Sequence, residues 1–323
     1  MIKKINTNFV KIVHLLNKGD YLAGETIGEK LQVTRSAVWK AIKKLQGYGV
    51  KVDSIKGRGY ALEAPLILLD ASKIKSLLNS KKVTLHLFER VDSTNDYLRS
   101  LKESQHIQIC MAEQQTAGKG RLGREWYSPF AQNIYLSCLY PFQKDISELA
   151  GLSLVVTLAI IRALKKNGVT DNLFAKWPND IIYDYKKLSG NLIEVQAESH
   201  GVSHAVIGIG INVNMLSDDK EIQQPWTSMQ KILNTYSDRN KICADVINEL
   251  LACLDMFNQK GFAVFIDEWI AADSLSEQVV SIKNANHKAT GKVVGVNEQG
   301  YLMLRLQDGK VQTFSAGDTT IIK

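Results

Sequence analysis

The stretch Ala112–Trp126, AEQQTAGKGRLGREW, constrains this chain more than any other. Gly118, Gly120 and Gly123 stand at near-alternate positions, with Lys119, Arg121 and Arg124 between and after them. Glycine frees the backbone to turn and lets a ligand come close to the main chain. Exposed N–H groups beside guanidinium forks make a cradle for a phosphate or a carboxylate. A flexible basic surface loop meets the same spacing equally well. The P-loop pattern G-x-x-x-x-G-K-[ST] occurs nowhere in the chain, which removes the Walker A reading.

With 323 residues the chain is long enough for two or three domains. Its four cysteines, Cys110, Cys138, Cys243 and Cys253, form no C-x-x-C pair. They read as small core residues in a reducing compartment, not as a disulfide frame or zinc site. The start, MIKKINTNFVKIVHLL, is interrupted by Lys11 and His14 and has no small-residue cleavage site, so it is not a signal peptide. No stretch is expected to span a membrane, and a cytoplasmic location follows. The net charge of +7 sits at one end: residues 1–63 carry 12 Lys and Arg against 5 Asp and Glu, and the rest is balanced. An excess confined to one end points to a polyanion partner there.

Within that basic end, Phe9, Val10, Ile12, Val13, Leu15 and Leu16 recur at helical spacing. Glu25–Leu31 reads as a second helix, and Thr34 caps a third over Arg35–Tyr48. Val38, Ala41, Ile42 and Leu45 form its buried stripe, leaving Arg35, Ser36, Trp39, Lys40 and Lys43 on the outer side. Two short strands follow around Lys56-Gly57-Arg58. Three helices and a hairpin make a winged helix-turn-helix. Its third helix would enter a DNA major groove, with Lys56 and Arg58 on the backbone beside it. Protein contact is the other known use of that layout, and the charge bias favours DNA. Residues 64–70, APLILLD, form a linker apolar enough to pack.

The central region, 71–273, alternates strands and helices. Ser93, Thr94 and Asn95 stand where a strand runs into a helix, as ordinary caps or as hydrogen-bonders to a ligand. Asn179 and Asp180 after Pro178 stand at a bend, and simple turn residues fit there too. Gly208 and Gly210, two apart in a strand, leave a flat groove on one sheet face. From about Glu277 the pattern shifts to four short alternating runs with an Asp308-Gly309 turn, a small Src-homology-3-like β-barrel over 274–323.

Five motifs in order, DSTN (92–95), QQTAGKGRLGREW (114–126), KWPND (176–180), KLSGNLIE (187–194) and GIGINVN (208–214), resemble those of the bacterial biotin–protein ligases that double as biotin operon repressors. The resemblance extends over essentially the whole chain. It implies an α+β multidomain protein: a winged helix-turn-helix (1–63), a linker (64–70), a mixed α/β ligase domain of the biotin/lipoate ligase, class II synthetase-like type (71–273), and the β-barrel. It implies that ATP and Mg2+ convert biotin to biotinyl-5′-AMP. Biotin then passes to one lysine of the biotin carboxyl carrier protein of acetyl-CoA carboxylase. By the same resemblance, Ser93, Thr94, Asn95, Gln115, Gly118, Lys119, Arg121, Lys187, Gly190 and Gly208 bind biotin. Arg121, Arg124, Trp126, Lys176, Asn179, Asn212 and Trp226 bind ATP or the adenylate. Arg121, Arg124 and Lys187 are the catalytic cations, and Asp180 is the acid associated with Mg2+. Adenylate as co-repressor, homodimerisation, operator DNA and no membrane partner complete the expectation.

Three positions depart from the family pattern: Leu122 where enteric members carry a further arginine, Lys119 where arginine is usual, and Asn191 where an aliphatic residue is frequent. Two rivals share parts of the signal. A lipoate ligase has the central fold and normally lacks the head. A sensor without ligase activity would have no need of Arg121, Arg124 and Lys187.

Overall fold

The computed structural model describes residues 2–17, 19–80, 82–101, 106–197, 203–217, 222–283 and 288–322. The chain opens with a two-residue strand, β1 (Lys3–Lys4), before α1 (Thr7–Leu16), α2 (Gly24–Leu31) and α3 (Arg35–Gly47). A hairpin of β2 (Val52–Ile55) and β3 (Gly59–Leu62) follows. Thr34 caps α3 as expected, its hydroxyl accepting from Ala37 N at 3.1 Å. Val38, Ala41, Ile42 and Leu45 are buried, and Arg35, Ser36, Trp39, Lys40, Lys43, Lys56 and Arg58 are exposed. The first residues do not stay with this helical head. β1 pairs antiparallel with a strand of the central sheet, Lys3 opposite Arg90, so the head is tied to the central region at both of its ends.

The central region contains α4 (Ala71–Ser76), β4 (Val83–Arg90), α5 (Thr94–Arg99), β5 (Ile107–Ala112), β6 (Ile134–Phe142) and α6 (Leu152–Lys166). It continues through β7 (Leu173–Lys176), β8 (Asp180–Tyr183), β9 (Lys186–Ala197), β10 (Ser203–Ile211), α7 (Met229–Leu233), α8 (Arg239–Lys260) and α9 (Ile266–Ala272). One eight-stranded sheet runs β1-β4-β5-β6-β10-β9-β8-β7. Only β4 and β5 pair in parallel, joined through α5; every other pair is antiparallel. KLSGNLIE lies inside the 12-residue β9 rather than leading into it.

The period-2 alternation of each strand divides the sheet into two different faces. Ile109 and Met111 of β5, with Ala205, Ile207 and Ile209 of β10, join the main core against α6 and α8. Cys110, Ala112 and Val206 point the other way, toward Leu98 of α5. The segment Ile146–Lys166, containing α6, is long and apolar enough to cross a membrane, which corrects the expectation that no stretch would be. It is apolar because it is packed: α6 lies between the sheet and α8, with eleven of its residues buried. All four cysteines are buried and free.

The head sits on the central region through a buried carboxylate. Glu89, at the end of β4, is fully buried and accepts from Tyr48 Oη at 2.5 Å and from Lys44 Nζ; Lys3 Nζ lies 3.3 Å away. Phe130 stacks on Tyr48 at 4.2 Å between ring centroids. The apolar linker packs as expected, with Leu66, Leu68 and Leu69 buried.

The C-terminal region is a five-stranded antiparallel sheet of β11 (Val279–Lys283), β12 (Lys288–Val296), β13 (Leu302–Arg305), β14 (Val311–Phe314) and β15 (Asp318–Ile321), in the order β14-β13-β12-β11-β15. Four of these strands match the alternating runs; β15 was not foreseen. At the joint, Asp273 forms an isolated bridge with Ala175 and its Oδ1 accepts from Leu275 N at 2.9 Å. Burial pushes its carboxyl up to about 6. The folded state therefore holds a proton that the unfolded chain releases at lower pH, so stability falls as pH rises between about 4 and 6. Asp273→Asn keeps the acceptor and loses the charge. It is expected to raise stability by roughly 1–2 kcal/mol above pH 6 and to leave it unchanged at pH 3.5. Urea unfolding at the two pH values measures this, and an equal effect at both would refute it.

Candidate active site

The sheet face away from α6 carries unusually small residues where β6, β9 and β10 meet. Gly208 lies opposite Ser137 and Leu192, and Gly210 opposite Tyr135 and Gly190. The groove expected from the two glycines is occupied by the protein's own side chains. A Cβ on Gly208 would collide with the Asn95 amide, and one on Gly210 with the Trp126 indole. These two side chains lie flat on the sheet and stand in the wall of a cleft of about 750 Å³.

One end of the cleft is a hydrogen-bonded polar network. Gln115 Oε1 accepts from Thr94 N (2.8 Å) and Thr94 Oγ1 (3.0 Å), and the single proton of Ser137 Oγ is shared between Thr94 Oγ1 (2.7 Å) and Asn95 Oδ1 (2.6 Å). Asn95 Nδ2 donates to Glu194 at 2.8 Å. Ser93 fulfils the cap reading, its Oγ accepting from Asp96 N at 3.3 Å to start α5, while still reaching the cleft. A ligand presenting both N–H and C=O groups meets donors and acceptors here.

The opposite end is cationic. The glycine loop folds back on itself: Gly120 N donates to Arg124 O (2.7 Å) and Trp126 N to Gly118 O (2.9 Å). Gly118 does not line the cleft. A Cβ there would meet Trp126 O at 2.6 Å, so the close approach its glycine permits is to the protein's own chain. Leu122 sits at the tip, exposed, with φ 55°, and Gly123 follows with φ 73°. Arg121 points inward, donating to Asn179 Oδ1 (3.1 Å) and Gly317 O (3.2 Å). Burial draws its guanidinium down from the ordinary value, and the carboxylates of Asp318 and Asp180 oppose that. Arg124 pairs with Asp318, and Lys187 Nζ lies 2.7 Å from Asp180 Oδ1. Lys119 reaches outward to Asp96 at 2.7 Å. Each inward cation thus faces a carboxylate that an incoming anion would replace.

Aromatic surface completes the cleft. Trp126 Nε1 is buried without a hydrogen-bond partner, and Lys187 Nζ lies 5.5 Å from the Trp126 ring centroid. Trp226 is brought in by a bridge to Lys187 and carries Lys231 Nζ 3.5 Å above its ring. Lys176, Asn179, Asp180, Gly190 and Asn212 also line the cleft, with Met215 and residues 222–224 at its rim. Residues 218–221, within the polar stretch 215–224, lie outside the described residues. The sequence reading missed Asp318, Thr319 and Thr320, which β15 carries in from the C-terminal sheet. Thr319 Oγ1 donates to Trp177 O (3.1 Å), and Trp177 Nε1 to Gly300 O (3.1 Å), fastening that sheet to the KWPND turn. The polar run Asp318–Thr320 just after Gly317 was the available signal.

The Biotin/lipoate A/B protein ligase family profile matches residues 87–212, an HTH domain profile residues 10–61, and the Biotin protein ligase C terminal domain profile residues 275–319. The bifunctional ligase/repressor BirA of Escherichia coli (strain K12) is 35% identical over 320 residues, 98% of each chain. This chain belongs to that family of bifunctional ligase/repressors. The family member from Bacillus subtilis (strain 168) is 28% identical, covering 92% of this chain and 93% of its own. The biotin protein ligase of Aquifex aeolicus, solved with biotin and ATP, superimposes with a TM-score of 0.64 at 29% identity, over 76% of this chain and 100% of the other.

Proposed function

We infer that this chain is an ATP-dependent biotin–protein ligase that also represses transcription, with biotinyl-5′-AMP as co-repressor. The observation that carries the reading is the meeting of Arg121, Arg124 and Lys187 in one cleft with the Thr94–Asn95–Gln115 network at its other end. The network would take the biotin ring system with Ser93, Lys119, Gly190 and Gly208. Asn179, Asn212, Trp126, Trp226 and Lys176 would take the nucleotide.

Biotin carboxylate and the ATP α-phosphate are both anionic and repel. A carboxylate oxygen attacks the α-phosphorus, the bond to the bridging oxygen breaks, and pyrophosphate leaves with that electron pair. Arg121, Arg124 and Lys187 would neutralise the approach and stabilise charge on the α-phosphoryl oxygens. In the second step a neutral lysine amine of the carrier protein attacks the acyl carbon, AMP leaves, and the amine gives up a proton. Asp180 lines the cleft beside Lys187 and would hold Mg2+ together with the ATP phosphates. A mixed anhydride hydrolyses readily, and the glycine loop with Met215 and residues 222–224 would exclude water.

The head is read as a winged helix-turn-helix with Arg35, Ser36, Trp39, Lys40 and Lys43 toward the groove and Lys56 and Arg58 on the wing. All of them are exposed. The C-terminal sheet is read as the Src-homology-3-like barrel. The unit boundaries are 1–63, 64–70, 71–273 and 274–323. Adenylate would order the loops and complete a homodimer surface that sets two heads on a two-fold operator.

Incubation with biotin, MgATP and a carrier domain is expected to shift the carrier's mass by one biotinyl group, and lipoate to give no shift; the reverse result would overturn the reading. Biotin with ATP is also expected to promote dimerisation and tighten operator binding, and a lack of change in both would break the repressor half. Gly210→Ala is expected to lift Trp126 off the sheet and weaken nucleotide binding on the order of tenfold, which titration calorimetry would register.

A further inference from the structure

We propose that Asn191 is a positioning residue for the nucleotide half of the site, acting through the KWPND turn. The inference rests on the ligase reading and adds a residue that the reading does not need. Asn191 lies opposite Ile209 in the β9–β10 register, and so on the α6 face of the sheet, while still bordering the cleft. It is buried, where an amide is costly unless both of its ends are used. Both are used. Its Oδ1 accepts from Ser153 Oγ at 2.9 Å, and its Nδ2 donates to Thr157 Oγ1 at 3.0 Å and Ser153 O at 3.2 Å.

Ser153 and Thr157 are four apart on α6 and present their hydroxyls on one side of the helix. Ser153 Oγ also lies 2.8 Å from Pro178 O, so its one proton is shared between that carbonyl and Asn191 Oδ1, and Asn191 Nδ2 lies 3.4 Å from Asn179 O. The Asn179 side chain faces back, its Nδ2 donating to Asn191 O (2.7 Å) while its Oδ1 accepts from Arg121 (3.1 Å). A continuous set of hydrogen bonds therefore runs from α6 through Asn191 and the 178–179 turn to the guanidinium of Arg121. An aliphatic side chain at 191 would fill the space and remove the amide's bonds to Ser153, Thr157 and Asn179 O, leaving the turn with the Asn191 N to Asn179 O bond (3.1 Å), the Asn179 amide and Ser153 as its ties. Thr157 supplies the hydroxyl that meets the Asn191 amide.

The test compares Asn191→Leu, Asn191→Asp, Thr157→Val and Thr157→Ser, reading adenylate formation with ATP and biotin varied separately, and thermal stability alongside. Small misplacement of a reacting group is expensive in rate, so the two Asn191 variants and Thr157→Val are expected to raise KM for ATP about fivefold or more, with KM for biotin within about twofold. Thr157→Ser keeps the hydroxyl and is expected to match the wild type. Thr157→Val preserves shape, so it reports even where an Asn191 variant folds poorly. The proposal is overturned where ATP and biotin constants move together or not at all in folded variants, or where Thr157→Ser behaves as Thr157→Val. A wild-type protein that forms no adenylate would instead sink the ligase reading, independently of Asn191.

Discussion

Arg121→Ala is expected to slow adenylate formation on the order of 10²–10³-fold, the cost of removing one preorganised charge donor from a transition state. Its position explains the size. The guanidinium is held by Asn179 and Gly317 and partly desolvated, so it needs little reorganisation when the phosphate arrives. Arg124 is more exposed, with 63% of its side chain open to solvent, and its removal should cost less. Arg121→Lys should recover only part of the rate, because an ammonium cannot span two acceptors as a planar fork does. Single-turnover adenylate formation with biotin binding measured in parallel would decide it. A full rate in Arg121→Ala would remove Arg121 from the catalytic set.

Arg239→Met is expected to destabilise the central region by roughly 3–5 kcal/mol, because it strands a buried carboxylate. Arg239 and Glu113 are both fully buried, with Nη2 2.7 Å from Oε2. Further hydrogen bonds hold the pair, although Arg239 Nε is buried without a hydrogen-bond partner. Arg239 donates to Asn133 O (3.0 Å) and Ile67 O (2.8 Å), and Glu113 Oε1 accepts from Leu69 N (2.5 Å). Two of those contacts are to the linker backbone, so the substitution should also expose residues 66–69 to proteolysis. Replacing Glu113 by leucine as well should not restore stability fully, since Leu69 N, Ile67 O and Asn133 O would still lack their partners. Urea unfolding with limited proteolysis checks both effects, and a cost below about 1 kcal/mol would show that the pair is dispensable.

Much of the molecule follows from local pattern. The third helix, its Thr34 cap and its buried stripe come directly from spacing, because an i, i+3, i+4 rhythm records which side faces a core. Ser93 as a cap and Asp308-Gly309 as a turn are equally local, since each satisfies backbone groups within a few residues. The motif residues from Ser93 to Trp226 nearly all reach one cleft. Gly118 does not, because a glycine required by chain crossing and one required by a ligand look the same in sequence.

What the sequence by itself determined is the helices of the basic head, most strands of the C-terminal sheet and the residues able to handle two anions. Only the tertiary structure decided how they meet. β1 joins the central sheet and β15 brings Asp318 to Arg121 and Arg124, because strand pairing depends on edges that short, weakly patterned segments do not announce. Asn191 turned from an odd polar residue in an apolar strand into the partner of Thr157 and Ser153, 34 and 38 positions away. Arg121 is held by a carbonyl 196 positions along the chain. Local propensity reaches about one helical turn, whereas a buried polar group must find a partner wherever packing brings one.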